Sequence, residues 1–172
     1  MAFVVEDGTV VTGANSYVTT TFADTYFAMD VNADTVWAAL TTPDKEQLLQ
    51  MASRVLDQKV IWKGRKTTDT SPMRWPRTGV YDRDNILVDT DEIPLQLQEC
   101  VCEVSKYLIS GADPTVGSGA EWIKKIVADV VEVEYQDGAG QTTLPSLFNQ
   151  LLRGLGNYPS AMGSTFARII KA

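Results

Sequence analysis

Two long patterns of apolar residues constrain the fold of this chain most strongly. The first follows Thr42-Pro43, a helix cap with proline at the first helical position, and its inward residues are Leu49, Ala52, Leu56 and Val60. The second runs from about Pro94 to Ser110, and its inward residues are Leu97, Val101, Val104 and Leu108. Spacings of three and four place each set on one face of a helix. The chain is therefore expected to bury two amphipathic helices against a common core.

Shorter patterns predict three further helical segments. Threonines 19 to 21 can cap a helix that carries Phe22, Tyr26 and Phe27 on one side. Residues 33–40 predict a short helical turn with Trp37 facing inward. A last helix is predicted over about 144–155, and its apolar face consists of Leu144, Leu147, Phe148, Leu151, Leu152 and Leu155.

The β signals are weaker and local. Two β-branched runs around Asp7-Gly8 predict a hairpin over residues 3–12, because Asp-Gly suits the tight turn between paired strands. The run 126–138 predicts a strand that ends at Asp137-Gly138. Residues 62–92 show no sustained period and predict a long loop, which in a compact domain is often functional. The expected fold is mainly α: a small bundle of about four helices with a short β element and an extended C-terminal arm.

The chain's 172 residues suit one domain, which we expect over residues 1–156, followed by an arm at 157–172. The arm has Arg168 and Lys171 but no acidic residue. Phe166, Ile169 and Ile170 are three and four residues apart, a spacing that can form one apolar face. Docking onto another protein and a frayed terminus remain equally open for this segment.

The chain has no histidine, and this excludes several classes of function. Histidine-based nucleophilic catalysis, histidine general bases and Cys/His zinc sites cannot be built. Cys100 and Cys102 are therefore expected to be buried helix residues without a metal. An enzyme would depend on carboxylates such as Asp129, Glu132 and Glu134, which no predicted pocket brings together. We expect no enzyme activity, no cofactor and no metal.

The N-terminus shows no secretory signal, and no apolar run approaches the roughly 20 residues that span a bilayer. We therefore expect no membrane partner and a chain made in the cytoplasm.

Positive charge is concentrated between residues 59 and 77. Six basic residues and one acidic residue give this stretch a net +5, which leaves −12 for the rest of a chain of net charge −7. Basic and aromatic residues together could bind nucleic acid, yet a strongly acidic remainder repels a polyanion. Arginine also stacks on indole rings and forks onto carboxylates. We therefore interpret the stretch as a loop or intersubunit clamp made by Trp62, Arg65, Arg74, Trp75 and Arg77.

Two expectations follow from this clamp. Arg74 and Arg77 should each lie near a carboxylate, and Trp75 should be largely buried. The nearby acidic run Asp82, Asp84, Asp89, Asp91 and Glu92 is a candidate acceptor. It does not fit a calcium loop, since Leu87 stands where that loop needs glycine.

Several stretches, in their order along residues 4–155, resemble a family of tailed-bacteriophage head-to-tail connector (adaptor) proteins. They are VVEDGTVVTGANSYVTTTFADTYFA, VWAAL, WKGRKTTDTSPMRWPRTGVYDRD, IPLQLQECVCEVSKYLI and VVEVEYQDG. Relatives of that family often carry a DnaT-like single-stranded-DNA-binding label. One departure is Phe22, where an acidic partner to Thr19 is expected. This departure leaves the start of the first helix open.

The resemblance implies a structural virion protein in the neck between capsid and tail. Such subunits form a ring, usually of twelve copies, under the portal protein, and a tail or stopper protein binds below. Double-stranded DNA passes through the lumen without specific binding. In related connectors a C-terminal arm enters the portal, and here that role would fall to Tyr158, Met162, Phe166, Arg168, Ile169 and Ile170. The alternative is a replication protein that binds single-stranded DNA.

Overall fold

The computed structural model describes residues 2–110, 125–128, 131–134 and 146–158. Five helices lie in these ranges: α1 Thr20–Phe27, α2 Asp34–Ala38, α3 Thr42–Lys59, α4 Leu95–Ile109 and α5 Ser146–Leu151. The predicted mainly α fold is confirmed. None of the helices in the described part of the chain is long and apolar enough to cross a membrane.

The core lies where α3 and α4 pack against each other. The predicted inward residues Leu49, Ala52 and Leu56 of α3, together with Val60 just after it, are buried. On α4 the buried residues include Leu97, Val101, Val104, Cys100 and Cys102. Helix α1 packs on α2, α3 and α4, and α5 packs on α4. The predicted burial of both cysteines is confirmed, and this burial raises the pKa of each thiol.

Threonine caps begin α1 and α3. Thr19 accepts a hydrogen bond from the Phe22 backbone N–H, so α1 begins as predicted although Phe22 is not acidic. Helix α3 is capped by Thr41 rather than by Thr42, because Thr41 has an extended backbone and its hydroxyl accepts the Asp44 N–H. The predicted cap was therefore wrong by one residue.

The predicted hairpin over residues 3–12 is wrong. The buried Glu6 carboxylate accepts the backbone N–H groups of Gly8, Val10 and Val11 at 2.9–3.0 Å. These donors would otherwise serve a strand ladder, so the segment folds as a loop around the carboxylate. Val10 adopts a left-handed φ of 65°, which a paired strand does not allow.

The β structure of the described residues consists of three small antiparallel pairs. Strand β1 (Ile61–Trp62) pairs with β6 (Gly156–Asn157), and β2 (Arg65–Lys66) pairs with β3 (Arg77–Thr78). The predicted strand over 126–138 is instead two strands, β4 (Lys125–Ala128) and β5 (Val131–Glu134), which pair with each other. The side chains of Glu132 and Glu134 and all of Asp129 lie outside the described residues.

The C-terminal segment is described only as far as Tyr158. Strand β6 lies across the predicted boundary at 156 and 157, and half-buried Tyr158 packs on the core. Five of the predicted docking residues fall outside the described residues: Met162, Phe166, Arg168, Ile169 and Ile170. The arm at 157–172 therefore stays a prediction.

Candidate functional site

Arg77 holds the long loop together from inside. Its guanidinium donates Nε to the Lys63 carbonyl at 2.6 Å, Nη2 to the Gly64 carbonyl at 2.9 Å and Nη1 to the Arg74 carbonyl at 3.0 Å. The side chain is buried, and burial lowers the pKa of Arg77. The predicted carboxylate is Asp57, which acts on Arg77 only through its charge, since Arg77 makes no ion pair with a carboxylate among the described residues. Its fork instead satisfies three backbone acceptors where two parts of the loop cross.

Trp75 is fully buried, which confirms the prediction for this residue. Half-buried Trp62 packs against it edge to face, with 5.9 Å between the ring centroids. Both indole Nε1 atoms are buried and have no hydrogen-bond partner among the described residues. The two rings therefore serve the packing of the loop on the domain, and Trp75 offers no face to a nucleic-acid base.

A polar network that sequence reasoning missed attaches the loop to α3. The Tyr17 hydroxyl donates to Asp57 Oδ1 at 2.5 Å and accepts the backbone N–H groups of Arg74 and Trp75 at 3.0 and 3.2 Å. Asp57 Oδ2 also accepts the Arg74 N–H at 3.1 Å. The sequence signal for it is an acid on α3 outside the predicted inward residues Leu49, Ala52, Leu56 and Val60.

Burial sets the ionisation of this network. It raises the pKa of the Asp57 carboxyl to about 6, although Tyr17 and the Arg74 N–H partly oppose the shift. Burial also raises the pKa of Tyr17 well above its ordinary value, and the charge of Asp57 acts in the same direction. Near neutral pH the network therefore holds a carboxylate that is costly to keep charged.

Arg74 and Arg65 expose their side chains. Arg74 meets Asp57 through its backbone N–H, and its guanidinium makes no ion pair within the described ranges. The expectation of a nearby carboxylate is thus met for Arg74: its backbone N–H binds Asp57, and the charge of its side chain helps to lower the pKa of Asp57. Arg65 lies on β2 beside Thr78 and is exposed to solvent.

An open groove of about 630 Å³ lies between α3 and the loop, beside this network. Its cationic lining residues are Arg54, Lys66 and Arg74, and Asp57 is the acidic one. Amide side chains from Asn15, Gln47, Gln50 and Gln58 and the apolar Met51, Pro72 and Met73 complete the wall. Among the residues that the structure describes, no aromatic one lines this groove. Its volume falls in the ordinary range of about 300–1,000 Å³ for binding sites.

The acidic run has a structural role of its own. Asp82 accepts the backbone N–H groups of Asp84 and Ile86 and so closes a turn. Across the part of the chain that the structure describes, the run makes one ion pair, from Arg83 to Asp84 at 3.8 Å. The run is thus not the acceptor for Arg74 or Arg77 within one chain. No group of metal-binding side chains is assembled among the described residues.

Fold and site together define a small, mainly helical protein whose loop is clamped from inside and whose groove is polar and positively charged. The cations of such a groove can pair with anionic groups. The chain belongs to the family described as "Putative DnaT-like ssDNA binding protein", whose model matches residues 1–171. Comparison with curated proteins and with solved structures gives no match.

Proposed function

We propose that the protein is a structural, non-enzymatic virion component: a head-to-tail adaptor in the neck, between capsid and tail. In this role about twelve copies form a ring under the portal protein. The ring extends the DNA channel and presents its lower surface to a tail or stopper protein. The proposal rests on the resemblance over residues 4–155 and on how the basic stretch is used.

The observation that carries the proposal is the burial of Trp75 and Arg77. Proteins that hold single-stranded nucleic acid expose aromatic rings on which bases stack, beside cations that meet phosphates. Here Trp75 and the Arg77 fork are occupied inside the subunit. A net charge of −7 is also suited to a channel through which DNA slides without being held.

A single-stranded-DNA-binding role is the second candidate. The family description names that activity, and three cations face the groove beside α3. Phosphates could contact Arg54, Lys66 and Arg74. We rank this role second because none of the described residues that line the groove is aromatic.

The proposal predicts that the protein and the portal protein of its phage co-assemble into a ring of about twelve copies, visible by electron microscopy. A variant that lacks residues 159–172 should lose the association by at least about tenfold, since each buried apolar side chain contributes about 1.5–3 kcal/mol. Truncation begins at 159 because Asn157 pairs in β6 and Tyr158 packs on the core.

A finer variant tests the apolar face of the arm. The triple change Phe166→Ser, Ile169→Ser and Ile170→Ser should weaken portal binding, whereas Lys171→Ala, the control, should leave it nearly unchanged. Unfolding temperatures of all variants should match the parent. Portal binding that survives the truncation would refute the docking role of the arm, and portal particles without a ring would refute the adaptor role.

A further inference from the structure

The groove beside α3 and the tip of the long loop have opposite charges. Among the groove's lining residues Arg54, Lys66 and Arg74 face Asp57, a net +2. The loop tip, residues 81–89, contains Asp82, Asp84 and Asp89 against Arg83, a net −2. No residue of the tip lines the groove. Within one copy, the negative tip therefore does not neutralise the positive groove.

The tip is an ordered turn that exposes apolar side chains to solvent. Tyr81 and Leu87 form an antiparallel bridge, and the Val88 N–H donates to the Val80 carbonyl at 2.9 Å below it. At the end of the turn Asn85 adopts a left-handed φ of 63°, beside the Asp82 cap. Ile86, Leu87 and Tyr81 are 64%, 54% and 50% exposed. Large apolar side chains held out by an ordered turn indicate a contact surface.

We infer that the acidic tip of one copy binds in the basic groove of a neighbouring copy. The tip would place Asp84 and Asp89 opposite Arg54 and Arg74. Ile86 and Leu87 would cover the apolar wall that Met51 and Met73 provide. This inference deepens the proposed function, because a groove on one copy and a tip on the next make a head-to-tail contact that closes into rings.

The chemistry of the groove favours a protein segment over a nucleic acid. Its amide side chains can pair with the backbone N–H and C=O groups of a turn, and its methionines adapt to aliphatic side chains. The described part of the lining offers a base no aromatic ring on which to stack. One chain thus carries both halves of a complementary pair.

Site-specific cross-linking tests the contact between full-length copies. One copy carries Ile86→Cys on the tip, and the other carries Gln58→Cys on the groove. A short bismaleimide should join them at about 1 mM protein, a concentration that half-populates a contact with a Kd of about 1 mM. The native Cys100 and Cys102 are fully buried and should not react. Val31 lies outside both the tip and the groove and is 97% exposed, so it provides the control. Val31→Cys should not cross-link to Gln58→Cys.

Charge reversal then identifies the partners. Arg54→Glu with Arg74→Glu on the groove copy should reduce the cross-linked fraction at least about tenfold, and so should Asp84→Lys with Asp89→Lys on the tip copy. All four side chains are exposed, so these changes should not unfold the subunit. Mixing the reversed groove with the reversed tip should restore the cross-link, since the charges are again opposite.

An absent cross-link, or one that charge reversal leaves unchanged, would overturn the inference. So would a single-stranded oligonucleotide that occupies the groove while no cross-link forms. If cross-linking fails but portal particles still carry a ring, the ring uses another contact and the proposed function stands. If cross-linking succeeds without any portal ring, the contact stands and the adaptor role fails.

Discussion

Replacing Trp75 with alanine should lower the unfolding free energy by about 3–5 kcal/mol, the usual cost of truncating a buried aromatic residue. The side chain is fully buried and packs against Trp62. It belongs to the part of the loop that Arg77 closes through the Arg74 carbonyl. For a chain of this length the loss corresponds to a fall in unfolding temperature of about 6–20 °C. Thermal and denaturant unfolding followed by circular dichroism would measure it.

Arg65→Ala is the matched control for this change. Arg65 belongs to the same basic stretch but is exposed, so its replacement should alter stability by no more than about 0.5 kcal/mol. Equal, small effects of both substitutions would show that Trp75 does not anchor the loop. The structural interpretation of the basic stretch would then fail.

Replacing Asp57 with asparagine should change how stability depends on pH. The folded pKa of about 6 lies above the ordinary value of 3.8, so the folded state binds this proton more tightly than the unfolded state. The parent protein therefore gains stability from this group as the pH falls from 7.5 towards 4, and loses it again as the pH rises through 6. Relative to Asp57→Asn, the gain should be about 2–3 kcal/mol.

The comparison between the two proteins isolates this effect. Other carboxylates, such as Asp24 and Asp30, have lowered pKa values and titrate alike in both proteins, so they cancel in the difference. Urea unfolding at several pH values between 4 and 7.5 gives the difference directly. A difference that does not vary with pH would show that burial does not raise the pKa of Asp57.

Helices α3 and α4 could be predicted from the sequence because local rules determine them, whereas α5 is shorter than predicted and leaves Leu147 exposed. The three- and four-residue spacing of α3 and α4 survives in the structure as their buried faces. The burial of Trp75 was also predictable. The acidic remainder of the chain disfavours a nucleic-acid role for the basic stretch, and a structural role for its indole implies burial. Charge counting located the basic stretch but could not show which arginine turns inward.

The remainder depends on contacts between distant residues. Glu6 takes the N–H groups that a hairpin would have used, and no local rule distinguishes that acid from its neighbour Asp7. Tyr17 and Asp57 are 40 residues apart in the chain, so their hydrogen bond leaves no periodic signal. Arg77 binds carbonyl groups of Lys63, Gly64 and Arg74, and a residue-type pattern carries no information on backbone acceptors.

The groove became visible only once the fold was known. Its cations come from α3 and from two separate points of the loop, Lys66 and Arg74. In the sequence Lys66 and Arg74 belong to one block of positive charge with the buried Arg77, whereas Arg54 lies before that block. The structure separates the block into a clamp that faces inward and a groove that faces solvent.

The proposed adaptor role predicts that this protein does not hold single-stranded DNA. A fluorescent oligonucleotide titrated at several salt concentrations between about 50 and 200 mM tests it most directly, since phosphate contacts weaken steeply with salt over this range. We predict a Kd weaker than about 10⁻⁴ M near physiological salt, at the weak end of non-specific binding. Micromolar or tighter binding that weakens steeply with salt, and that is lost in the combined variant Arg54→Ala, Lys66→Ala and Arg74→Ala, would contradict the claim.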